Sequence, residues 1–193
     1  MQDSARFADA FNFFMYDGRR VIQPEQLREI DTASIILPYG EDARSSGEQR
    51  FRDVMKSVVA MRDEHTAYLL LGIEAQMNIH RAMVIRSMLY DAIQYAIQVE
   101  EAAKSHRKGN VKPGSPDEFL SGFYRTDKLI PVITLTIYFG ADKWDAPMSL
   151  HEMLAVDDPG ILRFVPDYKL NLISPGTIPD DDFSKFETEL SVA

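Results

Sequence analysis

DVMKSVVAMRDEHTAYLLLGIEAQ, residues 53–76, reads as two apolar runs, Val54–Met61 and Thr66–Gln76, separated by the polar tetrad Arg62-Asp63-Glu64-His65. Two runs rich in β-branched and large apolar residues, with a short polar break between them, predict a β-hairpin. A turn centred on Asp63-Glu64 makes the numbers of antiparallel partners sum to 127. Asp53 is then expected opposite Glu74 on one face of the sheet, with Cβ atoms about 4.5–5.5 Å apart. Gln76, two residues beyond Glu74, belongs to that same face.

Two carboxylates held that close repel each other. At an effective dielectric of about 20, unit charges ~5 Å apart cost roughly 3 kcal/mol, or about two pKa units. Protonation of one carboxyl relieves the repulsion, and so does a cation bound between the two. A site of carboxylates, a backbone carbonyl and water suits Mg2+ or Mn2+. Such an ion activates water and stabilises the charge that develops on a phosphodiester being cleaved. The plainer alternative makes Asp53 a solvated residue at the start of one strand and Glu74 a surface residue at the end of the other. Against it, Glu74 follows the apolar run Tyr68–Ile73 and precedes Ala75. In sheet that reads as buried, carboxylates are usually paired or ligating.

Working outward, residues 4–16 place Phe7, Ala10, Phe11 and Phe14 at the spacing of a buried helical stripe, and Asp17-Gly18 ends the helix with turn chemistry. Residues 24–30 predict a short helix opened by Pro24. Thr32–Tyr39 predicts a strand and Glu41–Gln49 a polar loop. After the hairpin, a long helix is expected from about His80 to Lys104, with Ile85, Leu89, Ala92, Ile93, Ala96 and Ile97 along one face. Lys104–Gly114 reads as a basic loop, and Ser115-Pro116 as a helix start. Leu129–Phe139 reads as a strand covered on both faces. Ser149-Leu150-His151-Glu152 has the form of a capping box. Residues 166–179 read as irregular or extended, and Asp180–Ser191 begins a helix with an acidic first turn. The order of elements is therefore that of an α/β (α+β) domain with a mixed central sheet flanked by helices. Residues 1–140 form its core, and 141–193 an acidic C-terminal extension packing on that core.

The same residues resemble a known family. Asp53 in FRDVMKS, Glu74 and Gln76 in YLLLGIEAQ, and the following AMVIRSMLYDAIQYA resemble the Asp…Glu-x-Gln core of the PD-(D/E)XK nuclease superfamily. Within it, the chain looks like the recombination-promoting nuclease and transposase group, of Firmicutes type. FADAFNFFMYDGRRVIQPEQL, FLSGFYRTDKLIPVITLTIYFGADKWDAPMSLHEML and FVPDYKLNLISP agree in order along the chain. The resemblance implies a restriction-endonuclease-like αβββαβ core. It implies Asp53 and Glu74 as catalytic metal ligands, joined by the backbone carbonyl of Ala75, and Gln76 where many relatives carry lysine. Glutamine hydrogen-bonds without bringing a charge. Asp9 on the first helix is the candidate for an additional acid, its alternative being the solvent side of that helix. Arg86 and Tyr90, four residues apart, share a helix face. Arg86 is a candidate phosphate contact, against the alternative of a structural hydrogen bond between helix and sheet. Gln94 lies one turn further on.

Composition bounds these readings. The chain has 193 residues, 45% hydrophobic and 26% charged, and no cysteine, which excludes thiolate catalysis, thiolate zinc sites and disulfides. Four scattered histidines form no zinc motif. No signal peptide and no membrane span are legible, so a cytoplasmic location is expected. The net charge of −9 runs against phosphate binding, but residues 141–193 carry 11 acids and 4 bases, leaving the rest nearly neutral. Lys104, Arg107, Lys108 and Lys112 are candidates for contact with a DNA backbone; a solvated basic stretch after a helix C-terminus is the alternative. The leading expectation is a Mg2+- or Mn2+-dependent DNA endonuclease, with a homodimer favoured for cutting both strands of a duplex. The alternative is a catalytically silent interaction module of the same fold.

Overall fold

A computed structural model of the chain describes residues 3–29, 54–62, 65–174, 176 and 178–188; the side chains of Glu29, 54–62, 65–70 and Glu74 lie outside that description. The first helix, α1 (Ser4–Tyr16), is capped by Asp3, whose carboxylate accepts from the Ala5 N–H at 2.8 Å. It stops where Asp17 and Gly18 take positive φ (54° and 78°), and the Gly18 N–H returns to the Asn12 carbonyl. A 3-10 turn at Pro24–Gln26 and the two-residue strand β1 (Arg28–Glu29) stand where a second helix was expected. Glu29 and Arg28 pair instead with Lys56 and Ser57 of the next strand, so sheet pairing overrides local helical preference. The strand expected at Thr32–Tyr39 and the loop Glu41–Gln49 lie outside the described residues.

The hairpin is the spine of the sheet. β2 (Val54–Arg62) and β3 (His65–Gln76) pair antiparallel from Val54↔Ile73 to Arg62↔His65. Every partner pair sums to 127, the register expected from the polar tetrad. A parallel strand beside β3 requires a crossover, and α2 (Met83–Lys108) supplies it before β4 (Val132–Tyr138) pairs parallel to β3. β5 (Asn171–Ile173) adds in parallel at the far side of β4. Among the described residues the sheet is thus mixed, with five strands in the order β1-β2-β3-β4-β5.

Alternation along β3 and β4 sorts the two faces. Leu71, Ile73, Leu135, Ile137 and Ile173 join Phe7 and Phe11 of α1 in one core. On the opposite face Tyr138 packs with Met83 and Val84 of α2 and with Trp144, Ala146 and Leu170. Residues 141–188 therefore add a strand and part of this second core. Phe14 departs from the expected stripe at 38% exposure. Among the described residues, no helix is long and apolar enough to cross a membrane.

Three further expectations are corrected. α2 runs on to Lys108, so Lys104, Arg107 and Lys108 belong to its last turns, the end that favours cations, and only Lys112 to the loop. The segment at Asp180 forms a 3-10 helix that ends at Lys185, short of the helix expected to reach Ser191. The buried side of α2 is also the reverse of the apolar stripe. Ser87, Tyr90, Asp91 and Gln94 are buried, whereas Ala92 and Ala96 are exposed and Ile85, Leu89, Ile93 and Ile97 half-buried. The reason is the sheet beneath. β4 turns Thr134 and Thr136 toward this side, and buried hydroxyls favour a polar helix face.

Candidate functional site

The end of β3 carries the Glu-x-Gln sequence. Glu74, Ala75 and Gln76 have Thr136, Ile137 and Tyr138 of β4 as Cα partners. β2, as described, begins at Val54 opposite Ile73, so these three residues extend beyond its first described rung. Asp53 and the Glu74 side chain lie outside the described residues. The Gln76 carbonyl accepts from the Phe139 N–H at 2.8 Å. Neighbouring residues in a strand direct their backbone groups to opposite edges, so the Ala75 carbonyl is turned toward the β2 side.

The α2 side of this strand end holds the other candidates. Arg86 Nε donates to the Tyr90 hydroxyl at 3.3 Å, and the guanidinium carbon lies 5.7 Å from the ring centroid. Tyr90 is fully buried and Arg86 half-buried. Gln94 is buried one turn along. The hydroxyls of Ser87 on α2 and Thr136 on β4 are buried and have no hydrogen-bond partner. Unsatisfied buried hydroxyls of this kind suit a bound water or a hydrated ion.

The structure separates Asp9 from this group. α1 packs on the opposite face of the sheet, and Asp9 is buried and committed elsewhere. Its carboxylate accepts from the Glu187 N–H, the Thr188 N–H and the Thr188 hydroxyl at 2.6–3.1 Å. It anchors the C-terminal segment; its place is neither the solvent side of α1 nor beside Gln76. Lys104 pairs with Glu100 at 2.8 Å, while Arg107, Lys108 and Lys112 are exposed.

Sequence reasoning missed one buried arrangement. Asp91 of α2 accepts from Thr134 of β4 and, at 2.7 Å, from the hydroxyl of Tyr168. Tyr95 and Gln98, further along α2, accept from the N–H groups of Val132 and Ile130 at 3.1 and 2.6 Å. The available signal was an aspartate inside an otherwise apolar helical stretch, since a buried acid in such a place needs partners.

Among the described residues, no three His, Asp or Glu side chains cluster as a metal site. At the strand end the Gln76 side chain and the Ala75 carbonyl offer oxygen donors. That donor chemistry fits a hard divalent cation rather than zinc.

The fold is a mixed α/β sheet built on a hairpin and a parallel crossover. Residues 44–192 match the model of the family described as "Putative transposase, YhgA-like", and the chain belongs to that family. No curated protein and no solved structure gives a significant match.

Proposed function

We propose that this chain is a divalent-metal-dependent DNA endonuclease with a restriction-endonuclease-like core of the PD-(D/E)XK type, serving transposition or recombination. One observation carries the reading: the β2–β3 register, whose partners sum to 127, is the register by which the sequence pairs Asp53 with Glu74. With the short helix Pro116–Ser121 set aside, the order α1-β1-β2-β3-α2-β4 is compatible with the αβββαβ core that the resemblance implies.

In this reading Asp53, Glu74 and the Ala75 carbonyl hold Mg2+ or Mn2+. The bound ion supplies Lewis acidity and an activated water for phosphodiester hydrolysis. Gln76, with an amide in place of an ammonium, orients the attacking water by hydrogen bonding. Arg86 meets a phosphate oxygen, and the hydrogen bond to Tyr90 restricts its approach. DNA is the substrate, and a homodimer brings two such sites to a duplex.

The test is cleavage of duplex and single-stranded DNA with Mg2+ or Mn2+, by the wild type and by Glu74→Ala. The expected result is metal-dependent cleavage lost in the variant; equal activity in two folded proteins discards the assignment. The net charge of −9 favours a second reading, a catalytically silent module that keeps the fold. Calorimetry with Mn2+ separates the two, because a silent module has no reason to retain a specific metal site.

A further inference from the structure

The segment from the end of α2 to the start of β4 forms one knit lobe. α3 (Pro116–Ser121) is bounded by Gly122, whose φ is +68°, and a Cβ there would lie 2.6 Å from that of Ala103 on α2. The close approach fixes α3 against the end of the long helix. His106 stacks on Tyr124 with centroids 3.8 Å apart, and the Tyr124 hydroxyl donates to the Val111 carbonyl at 2.9 Å. His106 also meets Asp127 at 2.9 Å.

Three features of this lobe stand together. Its apolar tip is bare: Phe119 and Leu120, adjacent on α3, are 79% and 88% exposed, the most exposed large apolar side chains among the described residues. Its balance is basic, with six Lys or Arg against three acids over residues 104–128, in a protein of net charge −9. Its acids are engaged in hydrogen bonds within the lobe. Glu118 accepts from the Gly114 and Arg125 N–H groups at 2.6 and 2.8 Å, Asp127 from Tyr124 N–H and His106, and Asp117 from the Ser115 hydroxyl. Arg107, Lys108, Lys112, Arg125 and Lys128, all in this lobe, are exposed.

We infer that residues 104–128 form a DNA-docking lobe, in which Arg107, Lys108, Lys112, Arg125 and Lys128 grip the phosphate backbone while Phe119 and Leu120 wedge at a base step. The charge complements a polyanion, and exposed apolar side chains inserted between base steps are how proteins kink and bend a duplex. An acidic lipid surface would favour a longer amphipathic face than a six-residue helix offers. The inference rests on DNA as the substrate of the proposed nuclease, but concerns binding rather than cleavage.

The experiment measures binding of the full chain to a fluorescent duplex in EDTA, where no cleavage intervenes, over a range of salt. Lys108→Glu with Lys112→Glu is expected to weaken binding about tenfold or more and to lower the log–log salt slope by about 2. Phe119→Ser with Leu120→Ser is expected to weaken binding about threefold to tenfold, leave the salt slope unchanged and abolish bending read by energy transfer between the duplex ends. Both pairs lie on the surface, and circular dichroism checks that the fold is kept. Unchanged DNA affinity in both variants overturns the lobe. So does unchanged DNA affinity when the Phe119/Leu120 variant has lost self-association or binding to phosphatidylserine vesicles. Salt-sensitive binding in a protein that does not cleave keeps the lobe and discards the nuclease; cleavage with binding indifferent to both variants does the reverse.

Discussion

The hydroxyl of Tyr168 donates to the carboxyl group of Asp91 at 2.7 Å, joining the C-terminal segment to the long helix across 77 positions of sequence. Thr134 donates to the other oxygen of the same group, so one buried acid ties α2, β4 and the C-terminal segment together. Tyr168→Phe removes one of these bonds and is expected to cost about 1–3 kcal/mol. Asp91→Ala strands two hydroxyl donors and is expected to cost more. Urea titration of the two variants checks the order.

Asp9 holds the other end of the C-terminal segment through Glu187 and Thr188. Asp9→Ala is expected to cost about 2–3 kcal/mol, because it removes the acceptor for two backbone N–H groups and a hydroxyl. Limited proteolysis should then release the segment more readily, while Mn2+ binding by calorimetry stays as in the wild type. Lost Mn2+ affinity at unchanged stability would return Asp9 to the metal site.

Acid sensitivity follows from Asp127. The Tyr124 N–H, and after it His106, hold its carboxyl below the ordinary value of 3.8. A depressed carboxylate contributes stability that is complete above its unfolded value and is lost as pH falls through its folded one. The midpoint of thermal unfolding should therefore fall on acidification below about pH 4, and Asp127→Asn should flatten that part of the profile. An unaltered profile in the variant would remove Asp127 as a cause.

Gln76 offers the sharpest test of how water is positioned. Gln76→Ala is expected to lower the cleavage rate about tenfold, the worth of one lost hydrogen bond to the transition state, with Mn2+ binding retained. Gln76→Lys, which restores the ammonium many relatives carry, should preserve or raise the rate. Single-turnover kinetics distinguish these outcomes from slow product release.

The hairpin was legible to the residue because its cue is local. A polar tetrad between two apolar runs sets a turn, and the turn sets the register. α1 was legible for the same reason, with Asp3, Asp17 and Gly18 marking its ends. α2 was found as an element, but its buried face was not. Hydrophobic periodicity assumes that the covered side is the apolar one, whereas Ser87, Asp91 and Gln94 lie against a sheet face carrying Thr134 and Thr136. β1 was missed because two residues carry no periodicity, and the role of Asp9 because its partners lie at the other end of the chain. Asp53 and the Glu74 side chain lie outside the described residues, so the proposed metal site rests on the register and the resemblance.

The placing of β5 beside β4, together with the Asp9–Thr188 bonds, bears on biosynthesis. The Asp9 carboxylate of the first helix waits for donors 178 and 179 residues downstream, and β4 keeps an open edge until residues 171–173 have been made. Closure of the fold is therefore long-range and slow, and until it is complete the unpaired edge of β4 is a template for pairing with another chain.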